Sequence, residues 1–363
     1  MQRRHLLTQA LASASLAALP ALGRAAAPST QPLKIGFVYS GPISDVGWTF
    51  QHDLGRKMVE KEFGKQVQTV FVESVPEGPD SERVIRQLAS DGCGMVFTTS
   101  FGFMDPTIRV AADFPQVAFE HCSGYKTAAN VGIYQTRFYE GAYLLGVMAG
   151  RATKTNSLGY VAPFPIPEVI RNLDAFVLGA RSVNPKATAK VVWINSWYDP
   201  AREREAAQAL INQGVDTLYQ NTDSPAIVQL AESKGLVAFG QDSDMSRFGP
   251  RAHLSGNVLN WGVYYVHKVR QKLAGQWKPE DTKWGMKEGI VQLAPLSKHV
   301  PRDMAEQVEK QRAAIIAGQF HPFTGPIKDQ AGKLRVAAGQ TLLEPELWTM
   351  KWYVEGIVGK QPD

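Results

Sequence analysis

Cysteine is nearly absent from this chain: Cys93 and Cys122 are the only two. Neither has metal-ligand or CxxC spacing, and the histidines are scattered without paired spacing, so neither a metal site nor a cofactor is expected. A disulfide is not expected either. Cys93 precedes a predicted strand over 95–99, and Cys122 closes one over 117–121. If those strands are parallel neighbours, the two thiols sit at opposite ends, on the order of 15 Å apart, beyond the reach of a bridge. Catalytic signatures are missing too: there is no Walker loop, no GxSxG elbow and no HExxH. Beyond the N-terminal segment no apolar run is long enough to span a bilayer. No block of Lys and Arg marks a nucleic-acid or membrane-surface patch.

What is present begins with an export segment over residues 1–27. Arg3 and Arg4 precede an uncharged stretch over 6–22, and Ala25-Ala26-Ala27 offers a small-residue cleavage site. The Arg-Arg-His-Leu-Leu start also resembles a twin-arginine signal. With no cysteine at the cleavage site, lipidation is not expected, and the mature chain should be free in a Gram-negative periplasm as a monomer. Arg3, Arg4 and Arg24 leave with the segment, which lowers the formal charge of +5 to +2.

The remainder alternates short apolar runs with amphipathic stretches, broken at Gly, Pro, Ser or Asp. Residues 159–244 show this most plainly: GYV, IRNLDAFVLGARSVNP, KVVWINSWYDPAREREAAQALINQGVDTLYQ and AFGQDSD. Strands alternating with helices in this way call for parallel sheets with helices on both faces. The predicted strands over 34–39, 95–99, 190–194 and 237–239 each end in a polar loop, SDVGWT, SFGFMD, NSWYD and GQDSD, the first three containing aromatics. Ligands of open α/β sheets sit beyond the carboxyl ends of strands. Four such ends would bring rings, carboxylates and amides to one crevice, which is what a flat heteroaromatic ligand needs. Asp199, directly before Pro200, reads instead as a helix cap.

These ordered motifs, over 34 to about 293, resemble the basic membrane protein family of ABC-transporter substrate-binding proteins, whose members include purine nucleoside receptors. The resemblance implies an α/β type I periplasmic binding fold, with two doubly wound parallel-sheet lobes joined by a multi-strand hinge. One lobe is expected over 31–153 plus about 260–280 and the other over 154–258 plus about 283–325. Residues 326–363 read as a hairpin and tail of either lobe. The resemblance places Trp48 and Trp197 on the two faces of the ligand, with Phe101 nearby and Asp105 and Asp242 reading its edge. Asp45 and Asn257 complete the candidate site. Nucleoside binders of the family carry a lysine after the serine of the next strand, whereas LSGNVLNW has none. A purine base, adenine before the others, is therefore expected as ligand, with a purine nucleoside as the alternative and an ABC permease as membrane partner.

Two other classes are weaker. Asp242 and Asp244 could form an acid/base pair or an Mg²⁺ site of a nucleoside-processing enzyme, but in a strand they would point to opposite faces. A sensor component would share all these features. For the export reading, fractionation should recover the protein in the soluble periplasmic extract, with N-terminal sequencing beginning between Ala26 and Pro28. A lipid-bearing or cytoplasmic form would overturn it.

Overall fold

The computed structural model describes residues 31–362, so the expected export segment lies outside the described residues. The chain enters as β1 (Leu33–Val38), buried from Ile35 onward on both faces, as a central parallel strand requires. Helix α1 (Trp48–Phe63) leads to β2 (Val67–Val72), α2 (Pro79–Ser90) to β3 (Met95–Thr98), and α3 (Met104–Asp113) to β4 (Ala118–Cys122). Strand β5 (Val131–Thr136) follows, and the five pair in parallel in the order β5-β4-β3-β1-β2. The register Met95↔Ala118 puts Cys93, two residues before β3, and Cys122, the last residue of β4, at opposite ends of the pair, both buried and free.

After β5 the chain crosses over. Helix α4 (Tyr139–Ala152), buried from Tyr139 to Gly150, packs against α5 (Pro167–Val183), which follows β6 (Ser157–Ala162). Glycines let the two backbones touch: a Cβ on Gly146 would lie 2.0 Å from the Phe176 carbonyl oxygen, and one on Gly179 2.0 Å from that of Tyr143. The expected lobe boundary at 153 therefore does not match the packing. The crossing falls at Arg137, because the small residues of α4 face α5 rather than the first sheet.

The second sheet continues through β7 (Thr188–Trp193), α6 (Pro200–Asn212), β8 (Thr217–Gln220), α7 (Ala226–Lys234), β9 (Val237–Gly240) and β10 (His253–Leu259). The chain then returns: α8 (Trp261–Leu273) packs on α1, and β11 (Asp281–Trp284) pairs in parallel with β5. It crosses a third time to β12 (Val291–Leu293), antiparallel to β10, and α9 (Arg302–Ile316) lies on α4. The expected hairpin is β13 (Ile327–Lys328) with β14 (Leu334–Val336). Beyond it, α10 (Glu344–Trp348) contacts α5, and β15 (Ile357–Val358) adds to the second sheet beside β7. The tail thus belongs to the second lobe. The final orders are β11-β5-β4-β3-β1-β2 and β12-β10-β9-β8-β6-β7-β15.

Charge fixes α8 onto the first sheet after the second crossing. Lys268 of α8 and Glu120 of β4 are fully buried at 3.4 Å, and Glu120 also accepts from Tyr264 at 2.6 Å and Trp277 at 2.7 Å. The α4–α5 crossing yields a direct test. Gly→Ala within a helix ordinarily gains about 1 kcal/mol. At Gly179 the added carbon meets a backbone carbonyl that cannot rotate away, so overpacking wins. Gly179→Ala should reduce unfolding free energy by about 1–3 kcal/mol in chemical denaturation; an unchanged or higher stability would refute the close approach.

Candidate ligand site

The carboxyl ends of both sheets face one cavity. From the first lobe come Ser40 after β1, Trp48 opening α1, Thr99, Ser100 and Phe101 after β3, and Ser123 after β4. From the second come Glu168 in the first turn of α5, Trp197 after β7, Asn221 and Asp223 after β8, and Asp242 after β9.

Trp48 is held in place. Its indole N–H donates to the Thr99 carbonyl at 2.6 Å, and its ring sits edge-on to His52 and Trp261, with centroids at 4.6 and 5.1 Å. Trp197 leans on Phe164 at 5.3 Å, and its buried indole N–H has no hydrogen-bond partner among the described residues. Gly47, at φ 92°, starts α1 in a backbone conformation that favours glycine. A Cβ there would stand 2.4 Å from the Asp223 carbonyl oxygen of the other lobe.

Three buried carboxyl groups share the cavity. Burial pushes Asp242 up to about 7, against a hydrogen bond from Gln241 at 2.7 Å. Burial and the charge of Asp242 together drive Asp223 well above the carboxylate range, opposed by the amide N–H of Trp48. Like charges in one desolvated space disfavour double ionisation, so the pair favours keeping a proton. Burial also raises Glu168, which accepts from Ser123 at 2.7 Å. Asn221 accepts from Asn172 at 2.8 Å and Tyr160 at 3.0 Å.

Contacts across the cleft hold the lobes together. Ser243 Oγ accepts from the Gly47 amide at 2.9 Å and from Gln51 at 3.1 Å. At the rim Arg247 pairs with Asp45 at 3.1 Å. Among the described residues no group of three or more His, Cys, Asp or Glu could hold a metal ion. No helix there is long and apolar enough to cross a membrane.

Residues 33–321 match the Bmp family of PnrA-like ABC transporter substrate-binding proteins. The chain belongs to that family. It is 47% identical to a purine-binding protein of Brucella abortus over 93% of this chain and 96% of the relative. A putative ABC transporter glucose-binding protein of Haloferax volcanii is 36% identical, with coverage of 92% and 82%. A solved ABC-transporter solute-binding protein of Aeropyrum pernix superposes with a TM-score of 0.68 at 20% identity, covering 82% of this chain and 93% of that one. The Bmp chain has the α/β type I periplasmic binding fold.

Of the residues singled out in the sequence, Trp48, Phe101, Trp197 and Asp242 line the cavity. Three do not. Asp45 lies on the rim, its side chain 81% exposed and paired with Arg247. Asp105 sits in the first turn of α3, which turns it outward to Lys126 at 2.7 Å; that bond holds its carboxyl below the usual range. Asn257 comes two residues before the end of β10 and donates to the Phe138 carbonyl at 2.8 Å, bracing the first crossing. Asp199 caps α6 by accepting from the Arg202 amide at 3.0 Å, as its sequence context indicates. Asp244 accepts from the Ser246 amide at 2.9 Å as a turn residue. Sequence reading missed Ser123, Glu168, Asn221 and Asp223. The strand-end rule would have found them had it been applied after β4, β6 and β8.

The Asp223–Asp242 pair generates a pH dependence. An acid whose folded pKa lies above its unfolded one contributes stability at low pH. That contribution is lost as pH rises from the usual carboxylate range through about 7. Between about pH 5 and about pH 8 the melting temperature should fall by a few degrees, and by less in Asp242→Asn, which has no proton to lose there. Equal slopes in the two proteins would contradict the shift.

Proposed function

We propose that this protein binds a purine base, adenine before the others, in the closed cleft, and delivers it to the membrane permease of an ABC importer. The observation that carries the reading is the cavity itself: Trp48 and Trp197 come from opposite lobes, with protonatable acids between them. Rings supply stacking surface, worth about 1–3 kcal/mol per base. An ionised carboxylate only accepts hydrogen bonds, whereas a carboxyl that keeps its proton also donates one. The proton held between Asp223 and Asp242 therefore gives a donor beside acceptors. That suits an adenine edge, where an N–H group lies next to a bare ring nitrogen. The Brucella relative named as purine-binding supports the same class, and the missing lysine after Ser255 favours base over nucleoside.

In this reading Trp48, Trp197 and Phe101 contact the ring faces, Asp242 and Asp223 read the edge, and the protein works in the periplasm without lipid, metal or catalytic turnover. Calorimetry with adenine, hypoxanthine, guanine, their nucleosides and glucose tests it. Trp48→Ala or Trp197→Ala should weaken adenine by about ten- to a hundred-fold. Asp105→Ala, outside the cavity, should change it by less than about two-fold. Tighter binding of glucose than of every purine would overturn the reading, and tighter binding of nucleosides would move it to the sugar-bearing ligand.

A further inference from the structure

A second chamber adjoins the cleft, with about 1060 Å³ of empty volume. Phe101, Ser123 and Glu168 belong to the walls of both. Its other walls are largely apolar, built from Ile133, Ile166 and Trp348, and Tyr125 stands in its lining with 67% of its surface exposed. Phe101 and Tyr125 lie with ring centroids 6.5 Å apart, so aromatic surface runs from the cleft toward the outside. Lys283, also in the lining, is taken up by Asp281 at 2.6 Å.

The wall between the two spaces is slight. Ser123 comes from the end of β4 in one lobe, Glu168 from the first turn of α5 in the other, and one hydrogen bond of 2.7 Å joins them. Glu168 is more than nine-tenths buried. Because its two halves ride on different lobes, this partition parts whenever the lobes separate, and a ligand can be laid across it before they close.

Building on the purine reading, we propose that the chamber is a subsite for an apolar substituent carried on the purine ring, which extends the ligand class to N-alkylated and N-benzylated purines. The ring stays in the Trp48–Trp197 cleft, and the substituent passes beside Phe101 into the space bounded by Ile166 and Trp348. The chamber walls are chiefly apolar, so a benzyl group seated there removes apolar surface from water.

Calorimetry on the exported, full-length mature protein tests this, using adenine and its N6-benzyl and N9-benzyl derivatives. Two variants fill the chamber from its lining, Ile166→Trp at a half-buried position and Thr349→Trp at an exposed one, and the second keeps the test open should Ile166→Trp fold poorly. In the wild type, the better benzyl derivative should bind within about ten-fold of adenine. Each folded variant should hold adenine within about two-fold and lose at least about ten-fold for that derivative. Wild type that takes adenine but binds both derivatives more than about ten-fold more weakly would overturn the subsite, as would benzyl binding that survives the variants. If neither adenine nor a derivative binds, the purine reading falls and the subsite with it.

Discussion

The whole site depends on a missing side chain. Gly47 brings the start of α1 against the backbone at Asp223, and any Cβ would hold the lobes apart at that point. With the approach made, the amide of Gly47 reaches Ser243 and the amide of Trp48 faces the Asp223 carboxyl. Trp48 of one lobe then borders the same space as Trp197 and Asp242 of the other. Closure and the chemistry of the cavity are thus one geometric event.

The electrostatics of that cavity are one-sided. Asp223, Asp242 and Glu168 line it, while no Lys, Arg or His does. Burying acids without cations raises their pKa and keeps protons on them. Such a lining disfavours anions and rewards neutral ligands rich in N–H groups. It also sets the site apart from the rim, where Arg247 and Asp45 form an ordinary exposed ion pair of small energetic weight.

The alternating strands and helices were legible because buried parallel strands such as LKIGFV and MVFT are unbroken apolar runs. Phe101, Trp197 and Asp242 were legible because each follows a strand by two to four residues, and Trp48 because it opens the helix after β1. Asp105 has the same address yet misses the cavity, since α3 begins at Met104 and its first turn rotates the side chain outward. Glu168 was hidden behind the Pro-Phe-Pro-Ile-Pro run after β6, and Asp223 behind the four-residue strand β8. The boundary at Arg137 was invisible because glycines in α4 say that something packs closely, not which helix does. Strand β15, two residues long, carries no pattern at all and exists only through its pairing with β7.

The three crossings between the sheets behave mechanically as parallel flexures. A single connecting strand would act as a swivel, free to twist as well as bend. Three connections, tied together where the Arg137 amide donates to the Trp284 carbonyl and the Asn260 amide to that of Ile290, resist torsion better than one. Connections of this kind favour bending over twisting, and bending is the motion that carries Gly47 toward Ser243.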